Sequence, residues 1–99
     1  ARPISRWKSA EWCMQIELFT LSWCGYCSRA RALLDRHGVV YREVCLDRDP
    51  AGRMDIRLRS GRETLPQLFV DGRHVGDCDE LHALERQGRL RSSLGLPDR

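Results

Sequence analysis

The first half of the chain contains two short apolar runs separated by an amphipathic stretch. Residues 14–20 (MQIELFT) are rich in apolar side chains, which predicts a buried strand. From about residue 27 to residue 37, Ala30, Leu33 and Leu34 fall on one helical face, and Gly38 is a natural stop. Residues 39–46 alternate well enough to form a second strand. Because a helix joins these strands, we expect them to be parallel, with a right-handed crossover.

The middle of the chain predicts a helix followed by a hairpin. Pro50 suits the first helical position, and a helix of weak pattern follows to residue 59. Residues 65–70 form a strand, Asp71-Gly72 is a strong hairpin turn, and residues 73–75 form the return strand.

The end of the chain predicts an amphipathic helix that opens at Cys78 or Asp79 and stops at Gly88. Residues 90–94 add one further turn. The order βαβ, then α, then ββ, then α predicts an α/β domain with a four-stranded mixed sheet flanked by helices. Residues 1–13 have no clear periodicity, so we expect an N-terminal extension or linker there and one domain over residues 14–99.

Composition narrows the class of protein. Ninety-nine residues, of which 41% are hydrophobic and 31% charged, are enough for one small domain with its own core. The net charge is only +3, and the basic residues are scattered among acidic ones, so we expect no nucleic-acid partner. No stretch is long and apolar enough to span a membrane, and the N-terminus lacks a secretory h-region. We therefore expect a cytoplasmic protein without a membrane partner. We also expect a monomer, although the sequence itself does not determine the oligomeric state.

Two of the five cysteines, Cys24 and Cys27, form a close pair at the predicted start of the first helix. A cysteine ahead of a helix lies near unpaired N–H groups and the positive end of the helix dipole, which favour the reactive thiolate. The second cysteine lies one turn later and can resolve a mixed disulfide formed at the first. The pair in a βαβ context therefore favours thiol–disulfide exchange.

Two simpler interpretations of the pair are weaker. A zinc site needs a second ligand pair, and the remaining cysteines and histidines are dispersed along the chain, so we predict no metal ligands. A purely structural disulfide between Cys24 and Cys27 would close so small a loop that it would constrain little.

Three segments resemble the glutaredoxins, and the resemblance covers the chain from about Gln15 to Leu90. The sequence FTLSWCGYC at residues 19–27 looks like the dithiol active site of that family, with glycine in place of the commoner proline. The sequence SGRETLPQLFVDG at residues 60–72 is similar to its Thr-Val-Pro segment, and VGDCDEL at residues 75–81 to its Gly-Gly-Cys-Asp-Asp-Leu. The resemblance implies a thioredoxin-like fold and glutathione-dependent reduction of protein disulfides and glutathionylated proteins.

The resemblance also assigns roles to residues. Cys24 would attack and Cys27 would resolve. Thr64-Leu65-Pro66 implies a cis peptide before Pro66, whose geometry leaves the Leu65 backbone free to pair with the cysteinyl unit of glutathione. The remaining residues implied to bind glutathione are Tyr26 beside the pocket, Arg53 toward the glycyl carboxylate, and Cys78 and Asp79 toward the γ-glutamyl group. Taken singly, Pro66 is also explained as an ordinary trans proline, Asp79 as a helix cap and Arg53 as a solvated arginine.

Two departures from the family pattern matter. The family usually has a lysine where this chain has Leu21, so anion binding would rest on Arg53 or another arginine. Gly25 is shared with the single-cysteine branch, which binds iron–sulfur clusters. For the other cysteines, we expect Cys45 to be a small buried hydrophobe, whereas Cys13 lies outside the resemblance and its role stays open.

Two other functions compete with this interpretation. Trp23-Cys24-Gly25 is also similar to the thioredoxin motif, but Tyr26 replaces its proline and Leu18 replaces its buried aspartate. The second competitor is an iron–sulfur carrier in which Cys24 from two subunits and two glutathiones hold a [2Fe–2S] cluster. Cys27 favours the disulfide cycle, so we do not expect a cluster to be the main cofactor.

Overall fold

The computed structural model describes residues 15–97, and the predicted extension at residues 1–13, with Cys13, lies outside this range. The described chain contains four strands and four helices, in the order β-α-β-α-β-β-α-α. Their bounds are β1 Ile16–Thr20, α1 Gly25–Arg36, β2 Arg42–Cys45, α2 Pro50–Ser60, β3 Gln67–Val70, β4 Arg73–Gly76, α3 Cys78–Arg86 and α4 Leu90–Ser93. No helix within residues 15–97 is long and apolar enough to cross a membrane.

The sheet has the mixed four-stranded topology that the sequence predicts. Its strand order is β2-β1-β3-β4. β1 pairs with β2 in parallel and with β3 antiparallel, and β3 and β4 form an antiparallel hairpin. The hairpin turn has positive φ at Asp71 (53°) and Gly72 (82°), as the predicted two-residue turn requires.

The alternation of side chains along the strands divides the core between the two faces of the sheet. On one face, Leu18 and Leu68 pack with Leu33 of α1 and Leu81 of α3. On the other face, Phe19 and Phe69 pack with Ile56 of α2. The apolar stripe predicted for the first helix, Ala30, Leu33 and Leu34, is buried. The sheet is therefore covered on both faces, and the loops at one of its ends meet near the start of α1.

Three strands are shorter than predicted, and the first of them, β1, begins at Ile16, so that Gln15 lies outside it. Residues 39–46 alternate as a strand would, but the Val39 N–H donates to the carbonyl of Leu34, so this residue closes the end of α1 instead of entering β2. Gly38, with φ of 67°, makes that reversal, which a residue with a side chain adopts less readily. β3 begins at Gln67, two residues late, because the cis peptide before Pro66 interrupts the extended backbone.

The prediction that Cys45 is buried is wrong. β2 is an edge strand, and of its four residues only Val44 packs against the core, on the α2 side. Cys45 is exposed and free. An apolar-looking position on a strand is buried only where a helix covers that part of the sheet, and the edge is uncovered here.

Candidate active site

Cys24 lies at the N-terminus of α1, where its side chain caps the helix. It is the N-cap residue, and its sulfur accepts a hydrogen bond from the Cys27 N–H at 3.3 Å. No acidic residue lies in the first turn of α1 to oppose a negative charge there. The sulfur is partly exposed, and it lies 3.6 Å from the Leu65 carbonyl oxygen. The sulfur of Cys24 therefore lies at the end of a helix, where a substrate can reach it.

Cys27 lies one helical turn later and has the opposite surroundings. Its side chain is fully buried, and its sulfur accepts a hydrogen bond from the Leu21 N–H at 3.4 Å. Burial raises the pKa of the Cys27 thiol to about 12, although the Leu21 N–H acts in the other direction. Hydrogen bonding to Cys24 and its charge raise that pKa further. At neutral pH one sulfur is thus accessible and its neighbour is a buried, protonated thiol.

The peptide bond between Leu65 and Pro66 is cis, as the resemblance implies. This bond turns the chain just before β3, and Pro66 is buried. The turn brings the Leu65 carbonyl to the sulfur of Cys24. Two distant segments of sequence therefore meet at the candidate nucleophile.

A groove runs along both sides of this meeting point. The larger cavity, of about 360 Å³, is lined by Tyr26, Thr64, Leu65, Pro66, Asp77, Cys78 and Asp79. The smaller cavity, of about 220 Å³, is lined by Leu21, Arg53, Ile56, Arg57, Arg62, Glu63, Thr64 and Leu65. Thr64 and Leu65 belong to both walls. All the residues predicted from sequence to bind glutathione thus lie along one groove.

The larger cavity ends at the start of α3. Asp77 caps this helix by accepting from the Glu80 N–H at 2.9 Å, and the Glu80 side chain accepts from the Asp77 N–H at 2.9 Å. Asp79 is therefore not the cap, and its exposed carboxylate borders the cavity. Cys78 is buried in the cavity wall, and burial raises the pKa of its thiol. This arrangement suits Cys78 as a contact surface better than as a second nucleophile.

Sequence reasoning missed the function of Asp77 and Arg62. The Arg62 guanidinium donates to both Glu80 carboxylate oxygens, at 2.9 and 2.8 Å, and approaches Asp77 at 3.4 Å. These contacts fasten the loop before Thr64 to the start of α3, so one ion-pair cluster connects two walls of the groove. The spacing Asp77-x-x-Glu80 is a capping-box pattern and could have identified the cap.

Gly76 allows this cluster to form. It has a φ of 155°, and a Cβ on it would lie 2.7 Å from the Cβ of Glu80. Any side chain at this position would push the Glu80 side chain away, and Arg62 would then lose its carboxylate partner.

Arg53 lies in the smaller cavity, but its guanidinium is already partly engaged. It donates to the carbonyl oxygens of Leu46 and of Asp47, the latter at 3.2 Å. Leu21 shares this cavity with Arg53, as the resemblance implies. Arg57, one turn further along α2, lines the same cavity and was not singled out from sequence. Its i, i+4 spacing from Arg53 was the available signal.

The loop ahead of Cys24 is fastened from the other side by Asp47. The N–H and the hydroxyl of Ser22 both donate to the Asp47 carboxylate, the N–H at 3.0 Å. These bonds hold the pKa of the Asp47 carboxyl below its usual range. The loop ahead of Cys24 is therefore held in place, even though Gly25, which follows it, has more backbone freedom than other residues. No pattern in the sequence pointed to this contact.

Comparisons with known proteins give consistent matches. The family model described as Glutaredoxin matches residues 16–75. The curated protein Glutaredoxin of Pseudomonas aeruginosa is 43% identical over 79 residues, which is 80% of this chain and 94% of that protein. Glutaredoxin 3 of Escherichia coli is 45% identical over 75 residues, covering 76% of this chain and 90% of that one. A buckwheat glutaredoxin–glutathione complex is similar in structure, with a TM-score of 0.75 and 32% identity, covering 83% of this chain and 77% of that one.

Proposed function

The chain belongs to the glutaredoxin family, and from that premise we propose that it is a glutathione-dependent thiol–disulfide oxidoreductase. Membership of the family supports thiol–disulfide exchange in a thioredoxin-like fold. The proposal adds glutathione as the electron donor, and protein disulfides and glutathione mixed disulfides as the substrates. Because the reaction needs glutathione in its thiol form, we place it in a reducing compartment, the cytoplasm.

One observation carries the proposal, namely the contact between Cys24 and Leu65 in the middle of a groove. The Cys24 sulfur lies 3.6 Å from the Leu65 carbonyl, and cavities open on both sides. Glutathione is an extended tripeptide whose sulfur is central and whose two ends each carry a carboxylate. In this arrangement its glycyl end would lie near Arg53 and its γ-glutamyl end near Asp79 and the N-terminus of α3.

In the proposed one-thiol route, the Cys24 thiolate attacks the glutathione sulfur of a protein–glutathione mixed disulfide. The S–S bond breaks, the protein thiolate leaves and takes up a proton, and glutathione stays on Cys24. The thiolate of a second glutathione then attacks that glutathione sulfur. This step releases glutathione disulfide and restores the Cys24 thiolate, so each turnover consumes one free glutathione, and the other half of the glutathione disulfide comes from the substrate.

In the proposed two-thiol route, Cys24 attacks a protein disulfide and Cys27 resolves the mixed disulfide that results. Cys27 must lose its proton, and its pKa is raised by burial and also by the neighbouring Cys24. Once the Cys24 sulfur is bound in a disulfide it carries no negative charge, so that part of the increase disappears. Cys27 therefore becomes a better nucleophile only after Cys24 has reacted. Two glutathiones then reduce the internal disulfide.

The test is a turnover assay with a glutathione mixed disulfide, in which the electron source is either glutathione with its reductase or thioredoxin reductase. We expect turnover with glutathione and only a background rate with thioredoxin reductase. The reverse result would contradict the proposal and favour a thioredoxin activity. In the same preparation, purified without oxygen, we expect no visible absorption band from an iron–sulfur cluster.

Two cysteine variants separate the proposed routes. Cys24→Ser should reduce turnover of every substrate to background, because it removes the attacking thiolate. Cys27→Ser should keep the reduction of glutathione mixed disulfides and lose much of the reduction of protein disulfides. Cys45→Ser, at an exposed cysteine that lines neither cavity, is the matched control, and serine keeps a hydroxyl that can donate to Asp47 as the thiol does; its turnover should stay as in wild type. If Cys27→Ser were as inactive as Cys24→Ser, the one-thiol route would be wrong.

A further inference from the structure

A chain of partly buried hydrogen bonds lies behind the wall of the groove, on the α2 side of the sheet. Gln67, the first residue of β3, is fully buried. Its side-chain nitrogen donates to the Thr64 carbonyl at 3.0 Å, and its side-chain oxygen lies 2.6 Å from the His74 Nε2. Burying a side-chain amide costs free energy unless its polar groups are hydrogen-bonded, so both contacts stabilise Gln67 in its buried position.

These contacts fix the orientation of each polar group. Because only the nitrogen of Gln67 can donate to the Thr64 carbonyl, its oxygen must face His74 and accept from it. The Nε2 of His74 therefore carries a hydrogen. The ring is held against Phe69, with the ring centroids 5.2 Å apart. Burial lowers the pKa of His74 and Arg62 lowers it further, whereas Glu80 and Asp77 act in the opposite direction.

The orientation of the peptide unit between Thr64 and Leu65 links these hydrogen bonds to the groove. The bond between Thr64 and Leu65 is trans and planar, so the Thr64 carbonyl and the Leu65 N–H point in opposite directions. Gln67 draws the carbonyl toward the buried side. The Leu65 N–H is thereby turned away from the core, toward the groove that Leu65 lines. Within residues 15–97 it donates no backbone hydrogen bond, so it is available to a ligand.

We propose that Gln67 and His74 are positioning residues for substrate, which hold the Thr64–Leu65 peptide so that the Leu65 N–H meets a backbone carbonyl of glutathione. This inference rests on the proposed function, since it names glutathione as the ligand of that N–H. Neither side chain touches substrate. They act through the orientation of one peptide plane, so their loss should weaken binding and leave the sulfur chemistry intact.

The first test is the variant Gln67→Met, which keeps similar volume but cannot donate to the Thr64 carbonyl. Loss of one oriented hydrogen bond should raise the KM for a glutathione mixed disulfide about three- to tenfold, with little change in kcat. Gln67→Glu keeps an acceptor for His74 but sets a carboxylate against the carbonyl, and should raise KM at least as much. The rate of alkylation of Cys24 by iodoacetamide, which needs no glutathione, should stay as in wild type.

The second test addresses His74 and does not depend on how well Gln67→Met folds. His74→Phe keeps a ring against Phe69 but removes the donor, and should raise KM, whereas His74→Gln restores a donor and should recover most of the loss. In wild type, nitrogen NMR should find the His74 hydrogen on Nε2, and that preference should weaken in Gln67→Met.

The outcomes separate the two proposals. Wild-type protein without glutathione-dependent turnover would contradict the proposed function. Active wild type with an unchanged KM in folded Gln67→Met, or with equal KM values for His74→Phe and His74→Gln, would contradict the positioning inference alone.

Discussion

At the scale of single residues, the smaller cavity differs from the family pattern in where its positive charge comes from. Leu21 replaces a lysine, while Arg53 and Arg57 contribute guanidinium groups from α2. Leu21→Lys would add a charge partner for a partly exposed carboxylate, an interaction worth roughly 0–1 kcal/mol. The KM for glutathione should therefore fall by at most about fivefold. Arg53→Ala should raise it by a similar factor, and high salt should shrink both effects.

The control for these variants is Arg42→Ala, an exposed arginine on β2 that pairs with Glu17 far from the groove. It should leave glutathione kinetics as in wild type. Because Arg53 also binds the carbonyls of Leu46 and Asp47, the Tm of each variant is measured beside its KM. An unchanged KM for Arg53→Ala at low ionic strength would remove Arg53 from the site. If Leu21→Lys also had no effect, the glycyl carboxylate must lie elsewhere.

Single residues also show what the sequence could and could not predict. The resemblance implied the cis bond before Pro66, and the structure has it. Cys45 was predicted to be buried because cysteine resembles a small hydrophobe, but its exposure depends on which strand lies at the edge of the sheet. The contact between Ser22 and Asp47 joins residues 25 positions apart, and no local pattern carries such information.

At the scale of elements, the start of α3 is stabilised by a cap and by an ion pair with the preceding loop. Asp77→Ala should reduce the free energy of unfolding by about 0.5–2 kcal/mol, the usual range for loss of a capping side chain. Arg62→Ala should also reduce the free energy of unfolding, because Arg62 joins Glu80 to the loop that carries Thr64. Urea unfolding of each variant beside wild type measures both effects.

The ion pair at α3 gives this stabilisation a pH dependence. Hydrogen bonding from Arg62 lowers the pKa of Glu80 in the folded state. A lowered carboxyl pKa stabilises the fold above the ordinary value of about 4.3, and this contribution is lost as the pH falls through the folded pKa. The difference in free energy of unfolding between wild type and Arg62→Ala should therefore become smaller as the pH is lowered into the acidic range. Arg48→Ala, an exposed arginine outside both cavities, should show no such change.

The elements themselves were largely predictable, and their ends less so. α1 begins at Gly25, two residues before the first position suggested by apolar spacing, because the sulfur of Cys24 provides the cap. Thiols are not among the side chains that usually mark a helix start, so the pattern could not place it. β2 begins at Arg42 and not at residue 39, and Val39 instead closes α1 through a hydrogen bond that periodicity does not reveal.

At the scale of the whole molecule, the buried Cys27 should make the reduced fold sensitive to alkali. Its folded pKa is about 12, whereas an unfolded cysteine titrates near about 8.5. A raised pKa stabilises the fold fully below the unfolded value, and the contribution is lost as the pH rises toward the folded one. Between about pH 7 and pH 10 this loss amounts to roughly 2 kcal/mol.

The measurement is urea unfolding under reductant across that range, with Cys27→Ala as the comparison. Both proteins share every other titrating group, so only wild type should lose the Cys27 contribution, and the stability difference between them should narrow as the pH rises. A constant difference would mean that Cys27 titrates alike in the folded and unfolded chains.

The sulfur cap on α1 has a consequence for the redox balance of the protein. In the reduced chain the Cys27 N–H bonds to the Cys24 sulfur at 3.3 Å, and a thiolate accepts such a bond more strongly than a disulfide sulfur does. Each increment of stability that the cap adds to the reduced form raises the reduction potential, by about 30 mV for every 1.4 kcal/mol. The same cap should slow hydrogen–deuterium exchange at the Cys27 amide, so this amide should exchange faster when Cys24 is oxidised. Because the active thiol caps its own helix, the stability of that helix end contributes to the reduction potential of the protein.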